Sequence, residues 1–426
     1  MLLTFFNFAQ ASSIDPNQLV IKMKSGKSLP KSIYIKTSRK LFENVYVVKT
    51  NNLIALEKTL KNNLEIEYTE RNFKAEKRTL PLILKPQQFK LDTQSEFNDP
   101  RVGRIWSFND ALKNGVSVNS AYKSYGTAGT TPVIVAVVDT GIDTQHEDLK
   151  DNLWTNPNEI PNNGIDDDQN GYIDDVHGIN TLERDSAGHA TGDNTDKNYH
   201  GTHVAGTIGA KQNNNIGVAG IASNVKIMAI RTVPSEGDET DIDVAESFVY
   251  AAKNGARIIN CSFGKHINEG QKLIPDTLKY IADKYGVLVV AAAGNDSQDI
   301  DQHPIYPASF PNENLLIVAS TDHNGKMSSF SNYGKMNVDV AAPGGEIYST
   351  LPGNDYGYLS GTSMATPTTV GVAAEILAHF PNLTYLQLKN ILIKSVTPID
   401  KFKNKMVSGG RVDLLNALDL ARNTKQ

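Results

Sequence analysis

The chain has 426 residues, 39% of them hydrophobic, which is enough to bury a large core and long for one domain. Its net charge of −5 argues against a nucleic-acid-binding protein, and no run approaches the roughly 18 uninterrupted apolar residues of a membrane-spanning helix. Cys261 is the only cysteine, which excludes an intrachain disulfide.

Charge divides the chain. Residues 1–97 carry 16 Lys or Arg against 9 Asp or Glu, and the remainder carries 26 against 38, so a basic N-terminal piece faces an acidic body. That asymmetry suggests electrostatic complementarity between the two parts. Residues 1–11 are apolar and end in Ala-Gln-Ala without a basic leader, so 1–14 read as a truncated secretion signal, and the expected location is secreted or periplasmic. Within residues 15–78, NQLVIKM and NVYVVKT alternate like strands, NLIALEKTLKN has helical spacing and LEIEYTERNF alternates again. This order predicts a small ferredoxin-like α+β domain. A Lys/Pro/Gln-containing stretch, part of a linker over 79–97, separates it from the body.

In the body, PVIVAVV predicts a buried strand that delivers Asp139 at its C-terminal end, where open α/β sheets place ligands. The segment DDDQNGYIDD puts Asp166, Asp168, Asn170 and the Tyr172 carbonyl at positions one, three, five and seven of an EF-hand-like calcium loop, with Gly171 at six. Position twelve is His177, so Asp174 or Asp175 would have to close the shell. His200 opens a predicted helix, HGTHVAGTIGA, in which Gly201 removes bulk beside it and His203 is structural. The acidic EGDETD, residues 236–241, reads as a solvated loop, or as a groove element that favours basic substrate residues. INCSFG makes Cys261 a small core residue. VLVVAAAGND predicts a second buried strand ending at Asn295, whose side-chain amide can donate to an oxyanion. In SGTSMATP, Ser363 starts a predicted buried helix whose N-terminus supplies backbone donors, with Pro367 in its first turn. Two amphipathic helices follow, in PNLTYLQLKNILIKSV and SGGRVDLLNALDLA.

Asp139, His200 and Ser363 are an acid, a base and a hydroxyl nucleophile, each beside glycine. The carboxylate can fix the imidazole tautomer, the imidazole can take the hydroxyl proton, and the oxygen can attack a carbonyl. With the order Asp, His, Ser and the four motifs above, the chain resembles the subtilase (subtilisin-like) serine protease family over residues 98–422. That resemblance implies an α/β fold of three layers with a mainly parallel central sheet, preceded by the ferredoxin-like domain as a prodomain. It implies a secreted endopeptidase acting on protein or peptide substrates, with Asp139 orienting, His200 as base, Ser363 as nucleophile and Asn295 as oxyanion donor. Ser262, Phe263 and Gly264 match the strand that pairs with substrate; Ala292, Ala293 and Gly294 match the opposite wall of the primary specificity pocket. Structural Ca2+ is implied at Asp148, the Asn214 side chain and the carbonyls of Gln212, Ile216 and Val218, with Asp99 as an N-terminal ligand. The N-terminal domain then resembles an inhibitory propeptide, cut off by self-cleavage in or just beyond the linker, and the product is expected to be a monomer. Two other classes remain open on sequence: a zinc hydrolase built on His200 and His203, although no HExxH occurs, and an inactive calcium-binding scaffold.

Overall fold

A computed structural model describes residues 13–74, 95–127, 131–186, 188–235, 239–266 and 270–424. The expected signal up to residue 12, the linker up to residue 94, and Glu236, Gly237 and Asp238 of the acidic segment lie outside the described residues.

The N-terminal domain is a four-stranded antiparallel sheet in the order Ile35–Phe42, Val45–Thr50, Ser13–Met23, Ile66–Lys74. One helix, Leu53–Leu60, covers one face, burying Leu53, Leu56 and Leu60 against Leu19, Ile21, Met23 and Val48. A β-α-β-β-α-β pattern would place a second helix between the first two strands. Residues 24–34 hold none, because Gly26 turns at φ +75° and Pro30 follows. The first strand begins at Ser13, inside the stretch read as a signal, where Ser13 and Ile14 pair with Lys74 and Phe73.

The body is built on a ten-stranded sheet with Val133–Asp139 near its middle. The strands Val340–Pro343, Leu315–Thr321, Leu288–Ala292, Ile258–Cys261, Val133–Asp139, Val225–Arg231 and Asn180–Arg184 run parallel, each beside the next; among the described strands of this sheet the antiparallel pairs lie toward the two edges. Helices cover both faces, which is why the central strands read as unbroken apolar runs. On one face lie His200–Gly209 and Thr362–His379; on the other lie Asp241–Lys253 and Leu273–Tyr285. The fold is therefore the expected three-layer α/β arrangement. The body starts earlier than residue 98, since Phe97 packs at 5.4 Å from Phe108 and 5.1 Å from Tyr122.

The bare face of the N-terminal sheet sits on Asp241–Lys253 and Leu273–Tyr285. Phe42 stacks on Tyr280 at 4.7 Å, Arg39 meets Glu246 at 2.7 Å, and Lys22 meets Asp276 at 2.8 Å. The complementary charges of the two parts thus meet as specific pairs. Helix Leu273–Tyr285 has no N-cap side chain of its own. Glu70 of the N-terminal domain supplies one, accepting from the backbone N–H of Lys272 and of Leu273.

Candidate active site

Three elements bring the triad residues together. The central strand ends at Asp139, His200 is the first residue of its helix, and Ser363 is the second residue of the helix Thr362–His379. His200 Nδ1 lies 2.7 Å from Asp139 Oδ1, in a pair almost wholly shielded from solvent. The other carboxylate bond to Oδ1 comes from the Thr140 N–H at 2.8 Å. His200 Nε2 is buried and has no partner among the described residues, so it is the nitrogen available to take a proton. The Ser363 hydroxyl donates to the Ser262 carbonyl at 3.0 Å; Ser262 follows Cys261, which pairs with Val138 beside Asp139, so Ser363 lies at the same end of the sheet as the Asp139–His200 pair.

The glycines here have steric reasons. A methyl on Gly201 would collide with the Gly141 carbonyl oxygen and stand 3.2 Å from Asp139 Cβ. Pro367 falls in the second turn of its helix rather than the first, so the Ser363 carbonyl lacks the N–H it would normally receive. The Ser262 hydroxyl fills that gap at 2.9 Å. One serine of the expected substrate strand therefore braces the Ser363 peptide unit.

Asn295 is held by Thr362. Its Oδ1 accepts from the Thr362 N–H at 2.9 Å and hydroxyl at 3.0 Å, leaving Nδ2 as the end free to donate. The same hydroxyl accepts from the Gly294 N–H at 3.1 Å. Sequence reasoning missed Thr362, and it missed Asp196. Asp196 takes the Thr140 hydroxyl at 2.9 Å and the Thr202 hydroxyl at 2.6 Å, tying the turn after Asp139 to the first turn of the His200 helix. The only local signal was a carboxylate four residues before His200. His203 is structural: Nε2 lies 2.9 Å from the Ile347 carbonyl, and burial lowers its pKa to about 3.

Of the expected metal ligands, Asp148, Asp99 and the loop containing Gln212, Asn214, Ile216 and Val218 come together. Asp148 accepts from Asn214 Nδ2 and from the Val218 N–H, both at 2.8 Å, and Asp99 accepts from the N–H of Asn213 at 3.0 Å and Asn214 at 3.2 Å. Burial, with Asp99 nearby, pushes the Asp148 carboxyl up to about 6. Asn214 turns its Nδ2 to Asp148 and its Oδ1 to the Ile216 N–H, so in this arrangement its side-chain oxygen does not face the Asp148 carboxylate.

The second loop is arranged differently from an EF-hand. Asp166 is spent on the N–H groups of Asn170 and Gly171, and Asp174 on those of Asn163 and Gly164. Asp168 and Asp175 instead converge with Glu159, each offering a ligand oxygen within 4.8 Å of the others. Glu159 Oε2 is buried without a partner among the described residues. Asn170 reaches both Asp168 and Asp175 through its amide, whereas the Tyr172 ring turns inward against Tyr250 at 5.1 Å. Asp241, at the end of the acidic segment, pairs with Lys265 at 2.6 Å at the start of a helix.

Comparison with known proteins agrees with this geometry. The model of the subtilase family matches residues 130–413. The chain is 34% identical over 350 residues to subtilisin-like protease 1 of Plasmodium berghei (strain Anka), covering 78% of this chain and 56% of that protein. It is 34% identical over 341 residues to the thermophilic serine proteinase of Bacillus sp. (strain AK1), covering 79% and 69%. It therefore spans little more than half the length of the first relative. Among solved structures, a protease from Pseudoalteromonas arctica PAMC 21717 is similar at a TM-score of 0.60 and 32% identity, covering 77% of this chain and all of that one. With a matching family model over two thirds of its length and the Asp139, His200, Ser363 constellation assembled on a parallel sheet, the chain belongs to the subtilase family.

Proposed function

We propose that the protein is a serine endopeptidase that works through an acyl-enzyme intermediate. The observation that carries this reading is the buried Asp139–His200 pair with Nε2 unpartnered among the described residues, at the same sheet end where the Ser363 hydroxyl sits on the Ser262 carbonyl. In the first step His200 Nε2 takes the Ser363 proton while Oγ attacks the substrate carbonyl, and Asp139 stabilises the imidazolium. Negative charge develops on the carbonyl oxygen, where Asn295 Nδ2 and the Ser363 N–H donate to it. His200 then returns its proton to the leaving amine, and water, deprotonated by the same nitrogen, releases the acyl group. Extended substrate lies along Ser262, Phe263 and Gly264, adding a strand, with its side chain facing Ala292, Ala293 and Gly294.

The N-terminal domain acts as an intramolecular inhibitor in a precursor that processes itself in the linker, and the mature enzyme is secreted and monomeric. Support comes from the docked sheet and its cap on helix Leu273–Tyr285. Among the described residues no helix is long and apolar enough to cross a membrane. Ca2+ held by Asp99, Asp148 and the Asn214 loop, and a second ion held by Glu159, Asp168 and Asp175, would neutralise carboxylates that folding buries. A zinc-hydrolase reading finds no support: His200 Nδ1 is committed to Asp139, His203 Nε2 to a carbonyl, and the carboxylate cluster contains no histidine.

A fluorophosphonate probe tests the reaction class. It should label the parent and fail to label Ser363→Ala. Labelling that persists in the variant, or that never appears in a processed parent, refutes the assignment.

A further inference from the structure

Two neighbouring parallel strands, Ile258–Cys261 and Leu288–Ala292, stand side by side with Cys261 opposite Ala291. At their C-terminal ends they run into the two walls, 262–264 and 292–294. The Ser363 hydroxyl sits on the Ser262 carbonyl at one wall, and Thr362 holds Gly294 and Asn295 at the other. On the endopeptidase reading, the space between the walls is where the side chain of the attacked residue enters.

Ile305 stands in that space. A methyl built on Gly264 would lie 3.0 Å from Ile305 Cγ2, and one built on Gly294 would lie 2.6 Å from Ile305 Cδ1. One isoleucine side chain therefore touches both walls at the glycines, where substrate would otherwise find depth. Its position is fixed on both sides. Tyr306 exchanges two backbone hydrogen bonds of 2.9 Å with Lys265, on the continuation of the first wall. Ser309 accepts from the Ile305 N–H at 3.1 Å and donates its own N–H back to the Ile305 carbonyl at 2.7 Å. The side chain is buried in the same apolar cluster as Phe263, Ala293 and Ala308. A close-packed, anchored isoleucine cannot swing aside at small cost.

We infer that Ile305 closes the inner end of the primary specificity pocket, so that this enzyme cleaves after small uncharged residues such as Ala and Ser and discriminates against Phe, Leu and Lys. The inference rests on the endopeptidase reading above and names the substrate class of that site. Ile305 escaped sequence reasoning because it lies in HPIYPASF, more than ten residues beyond the nearer wall.

The test is a series of peptide substrates that differ only at the residue whose carbonyl is attacked, with active enzyme counted by fluorophosphonate titration. The parent should favour Ala over Phe by about 10- to 100-fold in kcat/KM, the range that steric exclusion of an apolar group supplies. Ile305→Gly should reverse the order, and Ile305→Ala, the milder variant, should lie between. A parent that cleaves after Phe or Leu as fast as after Ala overturns the inference. So does either variant, if labelled to the parent's level, with an unchanged Ala/Phe ratio. Absence of labelling in the processed parent removes the protease reading itself, which keeps the two failures distinct.

Discussion

Docking of the N-terminal domain should weaken as pH rises from about 4.5 to about 7, and the cause should be Glu70. Burial at the interface, with Asp241 adding repulsion, pushes its carboxyl from the ordinary 4.5 up to about 7. The groups that face it, Asp241, Lys265 and the N–H of Lys272 and Leu273, all belong to the body, so undocking returns Glu70 to an ordinary environment. The docked form therefore holds the proton more tightly than the undocked one. Its advantage is complete below about 4.5, declines as pH rises, and is lost above about 7. A difference of about 2.5 units at about 1.4 kcal/mol each gives roughly 3.5 kcal/mol between the two limits, or about 300-fold in the docking equilibrium, of which about 3 kcal/mol falls between pH 4.5 and 8. The assay is hydrogen exchange of the N-terminal strands in Ser363→Ala, which prevents self-processing, corrected for intrinsic exchange rates and followed from pH 4.5 to 8. The opening free energy should fall by about 3 kcal/mol across that range, and Glu70→Gln should flatten the profile because a neutral amide still accepts from the helix terminus. A flat profile in the Ser363→Ala parent, or the same slope after Glu70→Gln, would refute the reasoning.

Asn295→Ala should lower kcat by about two to three orders of magnitude with little change in KM, a magnitude known from the corresponding asparagine of subtilisin itself, and steady-state kinetics would check it. Chelation should lower the melting temperature, with calcium restoring about 4 kcal/mol when held a thousandfold above its dissociation constant. Asp148→Ala should abolish most of that response and Glu159→Gln a separate part of it; an unchanged calcium response in both would remove the two proposed ion sites. Gly201→Ala should destabilise the fold by about 1–3 kcal/mol and suppress probe labelling, because the added methyl has only the Gly141 carbonyl and Asp139 Cβ to displace. Normal labelling and stability would show that the turn can yield.

What the sequence by itself determined here is whatever is written locally. The strand ending at Asp139 and the strand before Asn295 were legible because both faces are buried, so the apolar run is continuous and its end is marked by a polar residue. The helices of His200 and Ser363 were legible from small residues that permit close packing. The loop DDDQNGYIDD announced carboxylates without saying which would converge, because hydrogen bonds to backbone N–H groups claimed Asp166 and Asp174 and left room for Glu159. Tertiary structure alone decided the remaining pairings. The Ser262 hydroxyl answers a carbonyl orphaned by Pro367, 101 residues from its donor in the chain; Glu70 caps a helix of the other domain; Ile305 fills the space between two walls it does not adjoin in sequence. The physical reason is the same in each case. Periodicity and composition report how a residue meets its own neighbours, whereas an unsatisfied backbone group or an empty space is created only when distant segments meet, and the chain satisfies or fills it with whichever side chain the fold brings near.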